Sequence, residues 1–152
     1  MAGVKRVVLT SSSAAISSGS AKYKVFTEED WGDEKNRKET TPYYRSKVIA
    51  EKAAWDFMEA DATNMELTVI NPSLVLGPVI DKEDYGTSAA YILKMMDGSI
   101  PALPKIGYEV IDVRSVAEMH VKAMTHEEAA GERFICSSGY MTMEKVAHVL
   151  RK

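Results

Sequence analysis

VKRVVLTSSSAAI, residues 4–16, decides the fold. Its first seven residues form a short run rich in β-branched and apolar side chains, and Ser11, Ser12 and Ser13 close it. That is the pattern of a parallel strand buried on both faces, with polar groups taking over at its carboxyl end. In open α/β sheets the carboxyl ends of strands line the functional crevice. The serine turn is therefore the first place to look for chemistry.

Working outward, residues 17–41 are rich in Ser, Gly, Lys, Glu and Asp, with Phe26 and Trp31 as isolated apolar anchors. A long surface loop of this kind inside a compact domain is more often functional than idle. Thr40, Thr41 and Pro42 give a helix start, and good helix formers continue to about residue 60. Ala50, Ala53, Ala54 and Phe57 recur at spacings of three and four and are expected to face a sheet. Residues 65–71 (MELTVIN) read as a second strand ended by Pro72.

Beyond it the reading gives a helix over 87–96 and an extended piece over 108–113. A helix follows over 115–125, with Val116, Met119, Val121 and Ala123 mostly inward. A third strand over 132–136 (ERFIC) follows Gly131, and a last helix over 142–150 takes Thr142 as its cap. Strands alternating with helices predict an α/β layered fold with a parallel sheet. Three strands are few for such a sheet, so the chain reads as part of a larger domain.

Composition narrows the function. The chain has 152 residues, 45% of them hydrophobic and 27% charged, with a net charge of −3. A near-neutral, slightly acidic balance gives no electrostatic reason to expect nucleic acid or an anionic membrane as partner. The apolar runs fall far short of the ~20 residues a membrane span needs, and the expectation is a soluble, cytoplasmic protein. Cys136 is the single cysteine, which excludes an internal disulfide, and it reads as a small buried hydrophobe. His120, His126 and His148 have no metal-ligand spacing, so no metal site is expected. Met95, Met96, Met119, Met124, Met141 and Met143 read as flexible packing, with a substrate-facing apolar wall as the alternative, and residues 81–85 as a charged loop that is either solvated surface or a border of the substrate site.

Tyr43 and Lys47 stand four apart at the start of the long helix, hence on one face and within reach of a common ligand. Alone, that spacing is common. Here it lies between a strand ending in the serine turn and a strand ending in Asn71, Pro72 and Ser73, three places that an open α/β sheet would bring together. A phenol has a reference pKa of about 10, and a neighbouring ammonium favours the phenolate. Tyr43 could then exchange a proton with a carbonyl while Lys47 tunes it and a serine hydroxyl polarises the oxygen as hydride arrives from a nicotinamide.

VKRVVLTSSSAAI, PYYRSKVIAEKAAWDF (42–57), INPSLVLGP (70–78), IDVRSVAEMHVKAM (111–124) and GERFICSS (131–138) occur in this order over nearly the whole chain. Together they resemble the extended short-chain dehydrogenase/reductases of the NAD-dependent epimerase/dehydratase superfamily. The branch is that of dihydroflavonol 4-reductase, anthocyanidin reductase and cinnamoyl-CoA reductase. The resemblance implies a partial Rossmann-like, doubly wound parallel sheet, with residues 1–152 forming one incomplete domain. Within it, roughly 75–110 and 137–152 would supply the substrate-binding portion.

It further implies an NADP(H)-dependent reductase of aldehydes or ketones, with NAD as the alternative cofactor and a small-molecule carbonyl compound as substrate. The catalytic serine falls on Ser12, with Ser11 and Ser13 as alternatives in register; the catalytic tyrosine and lysine fall on Tyr43 and Lys47. Lys47, with Tyr43, would also meet the nicotinamide ribose, and Pro72, Ser73 and Val75 mark the stretch that would hold the carboxamide through backbone groups.

Two departures bear on function. Cinnamoyl-CoA reductases carry Asn-Trp-Tyr-Cys-Tyr around the tyrosine, whereas this chain has Thr41-Pro42-Tyr43-Tyr44-Arg45, which weakens the case for that substrate. The family's GxxGxxG turn is also absent, since no two glycines lie closer than eight residues apart. The first half of the fold is therefore expected to be missing, leaving no helix start for the pyrophosphate. Two alternatives accompany the reductase reading. One is an inactive fragment that associates with a full-length relative through an open sheet edge. The other is a sugar-nucleotide epimerase/dehydratase or sterol dehydrogenase of the same superfamily.

Overall fold

The computed structural model describes residues 3–19, 25–60, 64–80 and 86–151. Residues 81–85, read from sequence as a charged loop, lie outside the described residues. The chain divides into two compact units. Met1–Pro72 with Ala117–Cys136 forms the first, and Ser73–Val116 with Ser137–Lys152 the second.

The first unit is built on a parallel sheet ordered β1 (Arg6–Thr10), β2 (Glu66–Pro72), β5 (Arg133–Cys136). Thr10 pairs with Ile70 and Asn71 with Ile135, so the carboxyl ends of β1 and β2 lie side by side. As the central strand, β2 buries every residue after Glu66, as expected when both faces of a parallel sheet are covered. β1 departs from the sequence expectation. It has one neighbouring strand among the described residues and is nowhere fully buried, with Val7 36% exposed. A strand on the edge of a sheet lacks the flanking elements that would close off its faces.

The alternation of β1 side chains nonetheless sorts its neighbours. Arg6 donates to the carbonyls of Ala123 and His126, and Thr10 hydrogen-bonds His120, all three at or beyond the end of α4 (Val113–Thr125) or within it. Ser11, next in alternation, meets Glu51 of α2 (Pro42–Ala60). The short helix α1 (Ala14–Ser17) follows the serine turn, buries Ala14, Ala15 and Ile16, and packs on α2. Sequence periodicity missed α1 because one turn of helix has no repeat to detect.

Pro42 occupies the first helical position of α2, and the Thr41 hydroxyl accepts a hydrogen bond from the Tyr44 amide at 3.4 Å. Its buried stripe differs from the expected one. Ala50, Ala53 and Phe57 are exposed, Ala54 is partly buried, and the fully buried residues are Val48 and Glu51. The alanine pattern misled because small apolar residues tolerate either face, while the ionisable Glu51 is buried. Gly32 lets the preceding loop lie against the inner face, since a Cβ there would come within 2.9 Å of Val48 Cγ2.

The second unit has its own sheet, ordered β3 (Leu74–Leu76), β4 (Gly107–Asp112), β6 (Gly139–Thr142). β3 and β4 run parallel, β4 and β6 antiparallel. α3 (Thr87–Met96) and α5 (Met143–Leu150) complete it, with the first residues of α4. Ile111, Val116, Met143 and Val146 are its buried core. In α4, Val116 and Ala123 are buried as expected, whereas Val121 is exposed. Of the methionines, Met143 is buried, while Met96 and Met124 lie open to solvent.

Candidate active site

The serine turn is held to the end of β2 by backbone bonds. The amide of Ser11 donates to the Ile70 carbonyl at 2.8 Å and that of Ser13 to the Pro72 carbonyl at 2.9 Å. The three serines then do different things. Ser11 is buried and donates its hydroxyl to Glu51. Ser12 is partly exposed, and its Oγ accepts from the Ala14 amide at 3.2 Å. Ser13 precedes α1. The turn thus commits Ser11 to the interior and leaves Ser12 and Ser13 partly exposed.

On α2, Lys47 Nζ lies 5.8 Å from the centroid of the Tyr43 ring, and Tyr43 is 57% exposed and edge-on to Tyr44. Four-residue spacing on a helix accounts for the Tyr43–Lys47 proximity. Glu51 continues the same row one turn later. Its carboxylate is buried, with Oε2 accepting from Ser11 and from Asn71 Nδ2 (2.7 Å), and Oε1 from Arg133 Nε (2.6 Å). The same Asn71 amide nitrogen donates to the Ser12 carbonyl at 3.1 Å, and Asn71 Oδ1 is buried without a protein partner.

Arg133 reaches further. Its Nη1 donates to the carbonyls of Glu28 and Asp30, and its guanidinium stacks 3.8 Å from the Trp31 ring centroid. The loop read from sequence as functional is thereby fastened beside α2. Lys52 adds a second hold, with Nζ 2.9 Å from Glu34 Oε2 and 5.6 Å from the centroid of the Trp31 ring. The Lys52 ammonium holds the Glu34 carboxyl below the usual carboxylate range.

The expected residues therefore divide. Ser12, Tyr43, Lys47 and Pro72 belong to the first unit, and Ser73 and Val75 to the second. Val75 lines a cavity of about 770 Å³ in the second unit, with Leu76, Thr87, Ile92, Met141 and Val146 among its walls. Glu51, Asn71 and Arg133 were not singled out as site residues from sequence, although Glu51 stands at the third place of the 43, 47, 51 row. Among the described residues no group of three His, Cys, Asp or Glu side chains is placed to hold a metal ion, and no helix is long and apolar enough to cross a membrane.

The profile of the NAD dependent epimerase/dehydratase family matches residues 1–136. A ketoreductase of Aspergillus niger is 38% identical over 97% of this chain and 47% of its own. The NADPH-dependent methylglyoxal reductase of Saccharomyces cerevisiae is 36% identical over 98% of this chain and 48% of its own. Among solved structures, the yeast methylglyoxal/isovaleraldehyde reductase complexed with NADPH is 36% identical. It superposes with a TM-score of 0.80 over 93% of this chain and 46% of that one. The chain spans about half the length of the curated relatives it matches.

Proposed function

The chain belongs to the NAD dependent epimerase/dehydratase family, and from that premise we propose that it serves an NADPH-dependent reduction of small aldehydes or ketones. The observation that carries this reading is the Tyr43–Lys47 pair on one face of α2, in a unit whose two paired parallel strands lead into the Ser12 turn and end in Asn71–Pro72. It is supported by relatives that are themselves ketone and methylglyoxal reductases. Two-carbonyl compounds of the methylglyoxal type head the substrate list on that ground.

The residues present suit the nicotinamide end of the cofactor: a phenol and an ammonium side by side, a partly exposed serine hydroxyl, and the polar carboxyl end of a parallel sheet. They include no glycine-rich turn to meet a pyrophosphate. The cofactor supplies the hydride. The Ser12 hydroxyl donates to the substrate carbonyl oxygen and orients it. Tyr43 gives that oxygen its proton, and the Lys47 ammonium favours the phenolate left behind. Lys47 and Tyr43 also meet the nicotinamide ribose, with Pro72, Ser73 and Val75 as further cofactor contacts. Segments 75–110 and 137–152 contribute the substrate-binding portion.

Titrating this chain with NADPH, following nicotinamide fluorescence and thermal stability together, tests the reading. Saturable binding, with turnover of methylglyoxal that is lost in Tyr43→Phe, is the expected result. Unchanged turnover in that variant overturns it. A second reading is favoured by β1, which lies at the sheet edge among the described strands and carries the exposed Val7. Such an edge can accept a strand from a full-length relative, and the chain then acts through association instead of turnover. The epimerase/dehydratase or sterol dehydrogenase alternative uses the same Tyr and Lys and is separated by a substrate panel.

A further inference from the structure

We infer that Glu51 is a positioning residue that sets the placement of Tyr43 and Lys47 relative to the serine turn, an inference that rests on the role proposed above for that pair. Glu51 is 1% exposed, and three separate segments donate to its two oxygens: Ser11 after β1, Asn71 at the end of β2, and Arg133 at the start of β5. Asn71 shares its amide between Glu51 and the Ser12 carbonyl, so the backbone of the proposed carbonyl-orienting residue and the helix bearing the proposed acid hang from one side-chain nitrogen.

A buried carboxylate is a poor choice if stability alone is required. Replacing a buried ion pair by apolar residues of similar volume is often neutral or stabilising. What a carboxylate with three fixed donors supplies is direction. A slip of one residue in α2 rotates its side chains by about 100° and moves them about 1.5 Å along the axis, and would break every bond to Glu51. Residues 43, 47 and 51 lie on one row, so a fixed Glu51 fixes the azimuth of the other two. Arg133 extends the clamp through Glu28, Asp30 and Trp31 to the loop that leads into α2. Misplacement of reacting groups by about 1 Å can cost roughly 10²-fold in rate.

Glu51→Gln keeps the shape but turns an amino group toward donors. The test compares it with the parent chain by amide hydrogen exchange and by NADPH-linked reduction of methylglyoxal. Exchange at residues 11–13 and 43–48 should quicken at least tenfold more than at Val69 and Ile70, and melting should stay cooperative. In the assay kcat should fall about 10- to 100-fold, with KM for the carbonyl changing less than about threefold. Unchanged exchange at those segments, a uniform rise throughout the chain, or a KM effect without a kcat effect overturns the inference. Should Glu51→Gln not fold, Ser11→Ala removes one donor and leaves the Arg133 pair intact. Local quickening at 11–13 and 43–48 then supports the inference, and its absence overturns it. A parent chain that reduces no carbonyl overturns the proposed function alone, and the exchange pattern still decides Glu51 by the same criteria.

Discussion

Arg133 places Nε 2.6 Å from Glu51 Oε1, with 9% of its own side chain and none of the glutamate's exposed. The pair joins β5 to α2 across the sheet end, and the remaining guanidinium edge is spent on the Glu28 and Asp30 carbonyls, with Nη2 buried and unpartnered. Removing one member strands the other. Arg133→Met is expected to destabilise the chain by about 3–5 kcal/mol, the range for breaking a buried pair. The double variant Arg133→Met/Glu51→Leu should recover most of that loss, because no uncompensated charge remains. Urea denaturation of the two single variants and the double one measures the coupling. A double variant no more stable than Arg133→Met alone would show that lost packing around Trp31, and not the stranded carboxylate, carries the cost.

On the reading proposed for α2, Tyr43→Phe removes the proton donor and leaves the ring, its edge contact with Tyr44 and its proximity to Lys47. A positioned general acid contributes about 10²- to 10⁴-fold, so kcat should fall by that order. NADPH binding should weaken far less than kcat falls, since the ribose contact is shared with Lys47 while the proton transfer is not. Steady-state assays together with fluorescence titration of the cofactor separate these effects.

Much of this arrangement was legible in the sequence, and the failures have physical causes. α3 runs over Thr87–Met96 as the helix expected there, and Thr142 caps α5 by accepting from the Lys145 amide. Both signals are local, one periodic and one a single side chain. β3 and β6 were missed because strands of three and four residues carry too little alternation to register, and only their pairing with β4 makes them strands. The row Tyr43, Lys47 was found because a chemical expectation singled it out. Glu51 was not, because nothing local distinguishes a buried carboxylate from a surface one. Its donors come from residues 11, 71 and 133, and only the fold brings those together.

Cys136 ends β5 opposite Pro72 and is buried, and burial pushes its thiol above the ordinary value. The unfolded chain therefore loses the thiol proton at lower pH than the folded one. Below the ordinary thiol range the group leaves stability unchanged, and as pH rises through and beyond it the unfolded state is increasingly favoured. Alkylation by iodoacetamide at mildly alkaline pH should accordingly be much slower in the native chain than in urea, because the thiolate is the nucleophile. Equal rates in the two states would mean that β5 opens readily.

Thr142 caps the helix that lines the second unit's cavity. Its Oγ1 accepts from the Lys145 amide at 3.2 Å, satisfying one of the donors left open at the start of α5. Met141, Val146, Val149 and Leu150, just before and along that helix, all line the cavity. Thr142→Ala should cost about 1 kcal/mol and fray the first turn, whereas Thr142→Ser should keep the bond. Because Thr142, at the end of β6, is also paired with Gly107 of β4, the loss should stay within the second unit. Amide exchange should therefore quicken along α5 and leave Val69 and Ile70 of β2 unchanged. If the cavity takes the substrate, Thr142→Ala raises KM for the carbonyl while leaving NADPH binding alone, the opposite split from that expected of Glu51→Gln.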